Sequence, residues 1–261
     1  MRFAVLASGS RANCTFVDTG SCRILVDCGL SGKETAKRLH AIGIDILTLD
    51  ALIVTHEHRD HLHGVPILSR RLKIPVYANE ETALSLDNLY GLELFDTGQA
   101  FEIGRVVVEP FRIVHDARDP VAFTITSSGV KLGHLTDIGR ATTLVRESLQ
   151  ECHALVLESN HDEEMLQTCD YPWELKQRIA SSHGHLSNPA AVDLLRDIWH
   201  SELQHVVLAH LSENSNTPEH ALTAMRDGVN ESQLKTLICG SPSGPTDLID
   251  IQEMASWRQV G

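Results

Sequence analysis

Four side chains that can bind metal ions lie within six residues of one another: His56, His58, Asp60 and His61. The apolar, β-branched run Ala51–Thr55 precedes them and predicts a buried strand. Alternate side chains of an extended chain share a face, so His56 and His58 can converge on one ion. Asp60 and His61 lie at a turn into a helix and can reach a second ion. Imidazole and carboxylate suit zinc, manganese or iron, so we predict two divalent metal ions here rather than a solvated loop.

Two metal ions require more ligands, and three candidates come at or just after the ends of other predicted strands: His115, Asp137 and His210. A lone histidine at a strand end is more often structural than a ligand, but three such residues beside the first motif favour a metal site. Two metal ions roughly 3.5–4 Å apart can share one water molecule and lower its pKa. The expected chemistry is hydrolysis, with a metal-bound hydroxide attacking phosphorus if the substrate is a phosphodiester.

The elements that must position these residues follow from the hydrophobic pattern. Predicted strands are Phe3–Ala7, Thr15–Val17, Arg23–Asp27, Ala51–Thr55, Ile74–Tyr77, Val106–Val114, Ala122–Thr126, Lys131–Leu135, Ala154–Leu157, Val206–Ala209 and Thr236–Cys239. Predicted helices are Ser31–Ile42, Leu62–Leu72, Glu80–Leu86, Ala141–Gln150, Asp162–Thr168, Trp173–Ser181, Pro189–Trp199 with Asn188 as its cap, and Pro218–Arg226 with Thr217 as its cap. Strands dominate early and then alternate with helices. The pattern predicts an α/β (α+β) fold of two mixed sheets with helices outside, in one domain over residues 1–261.

The bulk composition bounds the class of protein. The chain has 261 residues, of which 42% are hydrophobic and 22% charged, as in an ordinary globular protein. No apolar run is long enough for a membrane span and the first residues lack a secretory signal, so we expect no membrane association and a cytoplasmic location. The net charge of −13 argues against a broad basic surface for nucleic acid, although two divalent cations would reverse the local field. The six cysteines form no CxxC pair and are expected to be reduced and buried.

The motif itself resembles a known signature. Residues 55–64 read T-H-E-H-R-D-H-L-H-G and are similar to the T-H-x-H-x-D-H-x-x-G signature of the metallo-β-lactamase superfamily. The resemblance implies a four-layer αββα sandwich with the metal ions at one edge of the two sheets. It implies a first metal site of His56, His58 and His115, a second of Asp60, His61 and His210, a bridging Asp137, and an Asp27 that orients the ligands.

The choice among members of this superfamily depends on a few positions. Asp137 stands where common zinc β-lactamases have cysteine, and His58 stands where oxygen-reducing di-iron members have glutamate. A glyoxalase II-type thioester hydrolase keeps the same ligands and stays open as an alternative, although the tail 227–261 lacks the basic cluster expected for glutathione.

Several segments outside the motif resemble the YycJ/WalJ family. They are Leu6–Thr15, Phe111–Asp116, Thr136–Gly139, Leu157–Asp162, Tyr171–Trp173, Gly184–Asn188 and Ala209–Ser212. This resemblance implies a 5′-to-3′ exonuclease acting on DNA, and a small-molecule phosphodiesterase is the nearer alternative. Ala12 and His183 depart from the family pattern, where glycine and arginine are expected, which puts phosphate binding and strand polarity in question.

Asp60 and His185 are the predicted catalytic residues. Related phosphodiesterases place a histidine that is not a ligand at the position of His185, where it protonates the leaving oxygen; a loop histidine is the alternative. Candidate substrate contacts lie on a glycine-containing turn and near the end of a later strand: Ser8, Ser10, Asn13, His161 and Asn188. Glu158, Asn160 and Asp162 are expected at the rim of the site, with helix capping as the alternative for Asp162. A non-catalytic metal-binding protein is a third hypothesis, and the oligomeric state stays open.

Overall fold

Two seven-stranded sheets form the centre of the molecule. The computed structural model describes residues 1–229 and 234–251, and all statements of structure concern those residues. The first sheet contains β1 (Arg2–Ala7), β2 (Cys14–Asp18), β3 (Arg23–Val26), β4 (Ala51–Ile53), β5 (Pro75–Ala78) and β6 (Gly91–Leu94). The second contains β7 (Phe101–Ile103), β8 (Val106–Arg112), β9 (Val121–Ser127), β10 (Val130–Leu135), β11 (Ala154–Glu158), β12 (His205–Ala209) and β13 (Thr236–Cys239). A last strand, β14 (Ile249–Asp250), returns to the first sheet beside β1.

The strand order places the parallel strands next to one another. The first sheet runs β14-β1-β2-β3-β4-β5-β6 and the second runs β13-β12-β11-β10-β9-β8-β7. β3, β4, β5 and β6 are parallel neighbours in the first sheet, and β10, β11, β12 and β13 are parallel neighbours in the second. The carboxyl ends of parallel neighbours meet at one edge of a sheet, so the loops that follow them share one end of the molecule.

Helices cover the outer face of each sheet. They are α1 (Gly32–Ala41), α2 (Arg59–Leu62), α3 (Val65–Leu72), α4 (Glu80–Ala83), α5 (Thr143–Ser148), α6 (Glu163–Thr168), α7 (Trp173–Ile179), α8 (Asn188–Asp197) and α9 (Pro218–Gly228). Leu39 of α1 and Leu68 of α3 pack on the first sheet, whereas Leu194 of α8 and Met225 of α9 pack on the second. The four layers confirm the predicted αββα sandwich.

The main core lies between the two sheets. Val5 and Val26 from the first sheet and Phe123 and Val156 from the second belong to one buried cluster and are at most 1% exposed. The strands of a two-sided sheet in this position are buried on both faces, so they read as continuous apolar runs in the sequence. None of the helices among the described residues is both long enough and apolar enough to cross a bilayer.

Some predicted elements differ from the structure. The helix predicted over residues 62–72 is two helices, α2 and α3, with a break at Gly64. A Cβ at Gly64 would lie 2.1 Å from the carbonyl oxygen of Leu30, so the chain passes too close to its neighbour for any side chain. The strands β6, β7 and β14 were not predicted; Leu92 and Leu94 of β6 are exposed, so this edge strand shows no buried alternation.

The cap of α8 is also corrected. Ser187, and not Asn188, is the N-cap, because its hydroxyl accepts a hydrogen bond from the backbone N–H of Ala190. Thr217 caps α9 as predicted, and Asp162 caps α6. All six cysteines are free; Cys169 and Cys239 are half-buried and the other four are buried. A single domain over residues 1–261 stays a prediction.

Candidate metal centre

The ends of five strands deliver charged or imidazole side chains to one edge of the sandwich. Asp27 follows β3, His56 follows β4, Asp137 follows β10, Glu158 ends β11 and His210 follows β12. Asp27, Asp137 and His210 have φ of 58°, 58° and 55°, in the left-handed region that costs an ordinary L-residue roughly 1–2 kcal/mol. Three of the seven non-glycine residues with positive φ in the described structure therefore lie at this edge, just after strands β3, β10 and β12.

The imidazoles of His56, His58 and His115 form the first group, in which one nitrogen of each lies within 4.8 Å of the others. The Nδ1 atom of His56 lies 2.9 Å from the Thr55 hydroxyl, and Nδ1 of His115 donates to the carbonyl of Gly184 at 3.1 Å. The opposite nitrogen, Nε2, of both rings is buried and has no hydrogen-bond partner among the described residues. A buried polar atom without a hydrogen-bond partner destabilises the folded state unless a ligand binds it.

His58 is oriented from the opposite side. Its Nε2 atom donates to the carbonyl oxygen of Asp116 at 2.9 Å, so Nδ1 is the nitrogen left for the cluster. Its ring meets those of His56 and His115 edge to face, with centroids 4.5 and 5.2 Å apart. Three imidazoles facing one point are a familiar ligand set for a divalent transition metal.

A second group lies beside the first. One ligand atom each of Asp60, His61 and His210 lies within 4.8 Å of the others. Asp137 joins the two groups: its carboxylate lies 3.1 Å from His61 Nε2, 3.4 Å from His210 Nε2 and 3.7 Å from His115 Nε2. All seven side chains that the sequence predicted as ligands are therefore gathered at one place, with Asp137 between the two groups.

The electrostatics of this cluster follow from its mixture of acids and imidazoles. Burial opposes protonation of His210, but the carboxylates of Asp137 and Asp60 outweigh it and raise its pKa to about 9. Burial likewise opposes the ionised form of Asp137, but the neighbouring His210 and His61 hold its pKa well below the usual range. In the protein without metal, positive charge on histidine thus compensates the buried carboxylates.

Burial dominates at the first group and lowers the pKa of both His56 and His115. Both rings are therefore neutral, which is the form that binds a cation. The Nε2 atoms of these rings, which have no hydrogen-bond partner among the described residues, and the buried carboxylate of Asp137 fit divalent metal ions.

Asp27 is 1% exposed and forms hydrogen bonds to residues of the cluster from its buried side. Its carboxylate accepts hydrogen bonds from the Thr55 backbone N–H at 2.9 Å, the Thr55 hydroxyl at 2.8 Å and His61 Nδ1 at 2.8 Å. A fixed Nδ1–H on His61 directs its Nε2 into the cluster, which is the orienting role expected for Asp27.

Two residues expected to touch the substrate support ligands. Ser8 is 3% exposed, and its hydroxyl accepts a hydrogen bond from the backbone N–H of His210 at 2.6 Å. Asn13 is 5% exposed, accepts from the Gly9 N–H through Oδ1 and donates from Nδ2 to the Asp60 carboxylate at 3.1 Å. Both side chains point inward to ligands, and a substrate contact at Ser8 or Asn13 stays a prediction.

The other predicted contacts divide between cleft and interior. Ser10 is exposed and lines the cavity over the cluster. Asn188 is 1% exposed, accepts hydrogen bonds from Ser159 and Asn216 through Oδ1, and does not line the cavity, and its substrate contact stays a prediction. His161 is 3% exposed and lines a separate depression behind His185, where a substrate contact stays a prediction.

Glu158 has a larger part in the site than the sequence indicated. It was expected at the rim but is fully buried. Oε2 accepts from the backbone N–H of Asp137 and, at 3.2 Å, from that of Ile138; Oε1 accepts from the Leu186 N–H at 2.8 Å and from His185 Nδ1 at 3.1 Å. The sequence does contain an indication of this buried position, because Glu158 ends a fully apolar strand next to the strand that precedes Asp137, and a buried acid requires hydrogen-bond donors.

The two remaining rim predictions are also resolved by hydrogen bonds. Asn160 is buried and its side chain donates to the His210 carbonyl at 2.7 Å, so it fixes the loop that carries a ligand. Asp162 accepts from the Met165 N–H and caps α6, which confirms the alternative of helix capping.

A cavity of about 360 Å³ opens over the cluster. Its floor includes His58, Asp60 and His185, and its far wall is formed by Tyr171 and residues of α7. His185 is 20% exposed in its side chain and its ring stacks on that of His210, with centroids 5.0 Å apart. Because a carboxylate can only accept, Glu158 takes the Nδ1–H of His185, and Nε2 is the nitrogen free to meet a substrate.

Comparison with known proteins gives consistent relatives. The family described as the beta-lactamase superfamily domain matches residues 22–211. The chain is 37% identical over 237 residues to "Exodeoxyribonuclease YycJ" of Bacillus anthracis, covering 88% of this chain and 90% of that protein. It is 33% identical over 241 residues to "Exodeoxyribonuclease WalJ" of Streptococcus pneumoniae, covering 89% and 90%.

Among solved structures, the metallo-beta-lactamase fold protein YhfI of Bacillus subtilis is similar, with a TM-score of 0.71 and 14% identity over 94% of this chain and 99% of that one. The short form of human tRNase Z is similar with a TM-score of 0.65 and 17% identity, over 97% of this chain and all of that one. At these identities the likeness concerns the fold.

Proposed function

We propose that this chain, which belongs to the beta-lactamase superfamily and to its YycJ/WalJ branch, is a metal-dependent nuclease. In this proposal it removes nucleotides from DNA in the 5′-to-3′ direction. The single observation that carries the proposal is the gathering of seven ligand side chains, with Asp137 in reach of both groups, beside a histidine that is not among them. The names of the two relatives support DNA as the substrate.

The residues present suit two divalent cations. His56, His58 and His115 would hold one, Asp60, His61 and His210 the other, and Asp137 both. Such ions, whether zinc, manganese or iron, supply positive charge to the phosphate and lower the pKa of a water molecule. Asp60, whose side chain is 23% exposed, is the carboxylate of the set that solvent reaches most easily and would orient the attacking water.

His185 completes the reaction from the other side of the phosphate. As water adds to phosphorus, the bond from phosphorus to the leaving oxygen breaks, and that oxygen takes the proton from His185 Nε2. Glu158 fixes the ring through Nδ1, so Nε2, the proton-donating nitrogen, is directed to the cavity.

The test compares wild type and His185→Ala on two substrates, with manganese or zinc supplied. The variant spares every proposed ligand, so its metal content should equal that of the wild type. We expect a loss of roughly 10²–10⁴-fold in the rate on 5′-labelled DNA, whose leaving alkoxide requires a proton. We expect a much smaller loss on bis(p-nitrophenyl) phosphate, whose leaving group departs readily as an anion.

Equal losses on both substrates would contradict the role of His185. Absence of DNA digestion by the wild type, with cleavage of the aryl ester retained, would exclude the nuclease and leave a small-molecule phosphodiesterase. Faster turnover of a glutathione thioester would favour the glyoxalase II-type alternative. The cytoplasmic location and the oligomeric state stay untested by these measurements.

A further inference from the structure

Two further surface depressions share lining residues with the cavity over the metal centre. The central cavity shares Ser10 and Asp60 with a depression of about 400 Å³ on one side. That depression, here called the basic arm, is lined by Ser10, Arg11, Gly29, Arg59, Asp60 and His63. On the other side the central cavity shares His115 and His183 with a shallower depression, here called the opposite arm.

The two arms differ in charge. The basic arm carries Arg11, Arg59 and His63, and its one acid, Asp60, belongs to the metal centre. In the opposite arm Arg118 lies beside two acids, Glu57 and Asp116, of which Asp116 pairs with Arg178 at 3.0 Å. The net charge of the chain is −13, so a local excess of positive side chains beside the proposed phosphate-binding centre differs in sign from the charge of the chain as a whole.

The arginines of the basic arm are available to a ligand. The side chain of Arg11 is 78% exposed and pairs with Glu213 at 2.5 Å, a surface ion pair of small worth that a phosphate can replace. Arg59 is exposed at the first turn of α2, one residue before Asp60, so a group that contacts its guanidinium lies next to the metal centre. Arginine binds phosphate oxygens in a bidentate manner.

We propose that the basic arm is a binding site for the backbone phosphates of the substrate strand that remains bound beyond the cleaved bond, with Arg11 and Arg59 as its principal contacts. This proposal rests on the proposed nuclease function. The opposite arm, whose lining has one arginine and two acids, is then the side from which the released nucleotide leaves.

The experiment compares Arg11→Ala/Arg59→Ala with the wild type on 5′-phosphorylated oligothymidylates of two and five nucleotides. In the dinucleotide the cleaved bond is the only internucleotide phosphate, so the basic arm is empty. We expect the wild type to prefer the pentanucleotide in kcat/KM, and the variant to lose about tenfold on the pentanucleotide while staying within about twofold on the dinucleotide. The slope of log kcat/KM against log salt should become shallower by about 1.4, because each single-strand phosphate that an arginine neutralises adds roughly 0.7 to it.

Two matched controls accompany the variant. Arg71→Ala/Arg105→Ala removes the same charge from exposed positions before β5 and before β8, at the end of the sheets away from the metal centre. Arg118→Ala removes a positive charge from the opposite arm. Both should keep the preference for the longer substrate.

The outcomes separate the two proposals. A length preference and salt slope unchanged in the Arg11 and Arg59 variant, or lost in Arg118→Ala instead, would overturn the assignment of the basic arm while the nuclease function stands. A wild type that cleaves neither oligonucleotide would overturn the nuclease function and, with it, this site.

Discussion

Replacing Glu158 by glutamine should destabilise the protein far more than an ordinary isosteric change. Each carboxylate oxygen accepts two N–H groups: Oε2 those of Asp137 and Ile138, and Oε1 those of Leu186 and His185. A glutamine can turn only one oxygen to these donors. With that oxygen toward Asp137 and Ile138, its amide NH₂ faces the Leu186 N–H, which then has no acceptor, whereas His185 can change tautomer and accept through Nδ1.

The magnitude follows from the burial of these groups. Glu158 is 0% exposed, so water does not replace the missing acceptor. A buried, unsatisfied N–H costs about 1–3 kcal/mol, which is the expected decrease in the free energy of unfolding. That is a large share of a typical total of about 5–15 kcal/mol, and it corresponds to a fall in Tm of about 2–12 °C.

The assay is urea unfolding followed by circular dichroism, with zinc present and after chelation, so that loss of metal is separated from loss of folding. Glu102→Gln, the same change at an exposed position of β7, is the control and should stay within about 0.5 kcal/mol of wild type. A decrease below about 1 kcal/mol for Glu158→Gln would refute the assigned hydrogen bonds, because it would mean that the Leu186 N–H finds another acceptor.

Two further predictions concern the metal ions. Asp27→Asn should lower zinc affinity by roughly 10–100-fold in a competition with a chromogenic chelator, because the acceptor shared by Thr55 and His61 Nδ1 is removed and the His61 ring is no longer fixed; an unchanged affinity would count against the orienting role. Zinc affinity should also rise with pH between about 7 and 9 by isothermal titration calorimetry, by up to about tenfold per pH unit. The reason is that Asp137 raises the pKa of His210 to about 9, so below that pH a proton must leave His210 before the metal ion binds. A zinc affinity that does not change with pH would show that His210 is already neutral at pH 7.

The sequence determined the metal centre almost completely. His56, His58, Asp60 and His61 are neighbours in the chain, so a strand followed by a helical turn is enough to bring them together. Asp137 and His210 were predictable because ligands at the ends of parallel strands meet at one sheet edge. His115 reaches the same edge from β8, which is antiparallel to its neighbours. The αββα layering was predictable for a related reason: apolar runs without alternation require burial on both faces.

The sequence could not determine which polar residues face the cleft and which face inward. Ser8, Asn13 and Asn188 have side chains that would suit a phosphate, and only the packing of distant segments turns them toward His210, Asp60 and Ser159. The strand β6 was missed for the opposite reason, since an edge strand buries too little to show a pattern.

The tertiary structure alone decided the role of Glu158. Its four donors come from two loops far apart in the chain, after β10 and before α8, and no local pattern records that they converge on one carboxylate. Metal ligands can be predicted from residue type and local spacing, because a cation binds only particular donor atoms. The N–H groups that donate to a buried carboxylate are those that the fold brings within hydrogen-bonding distance, and their identity depends on the whole chain.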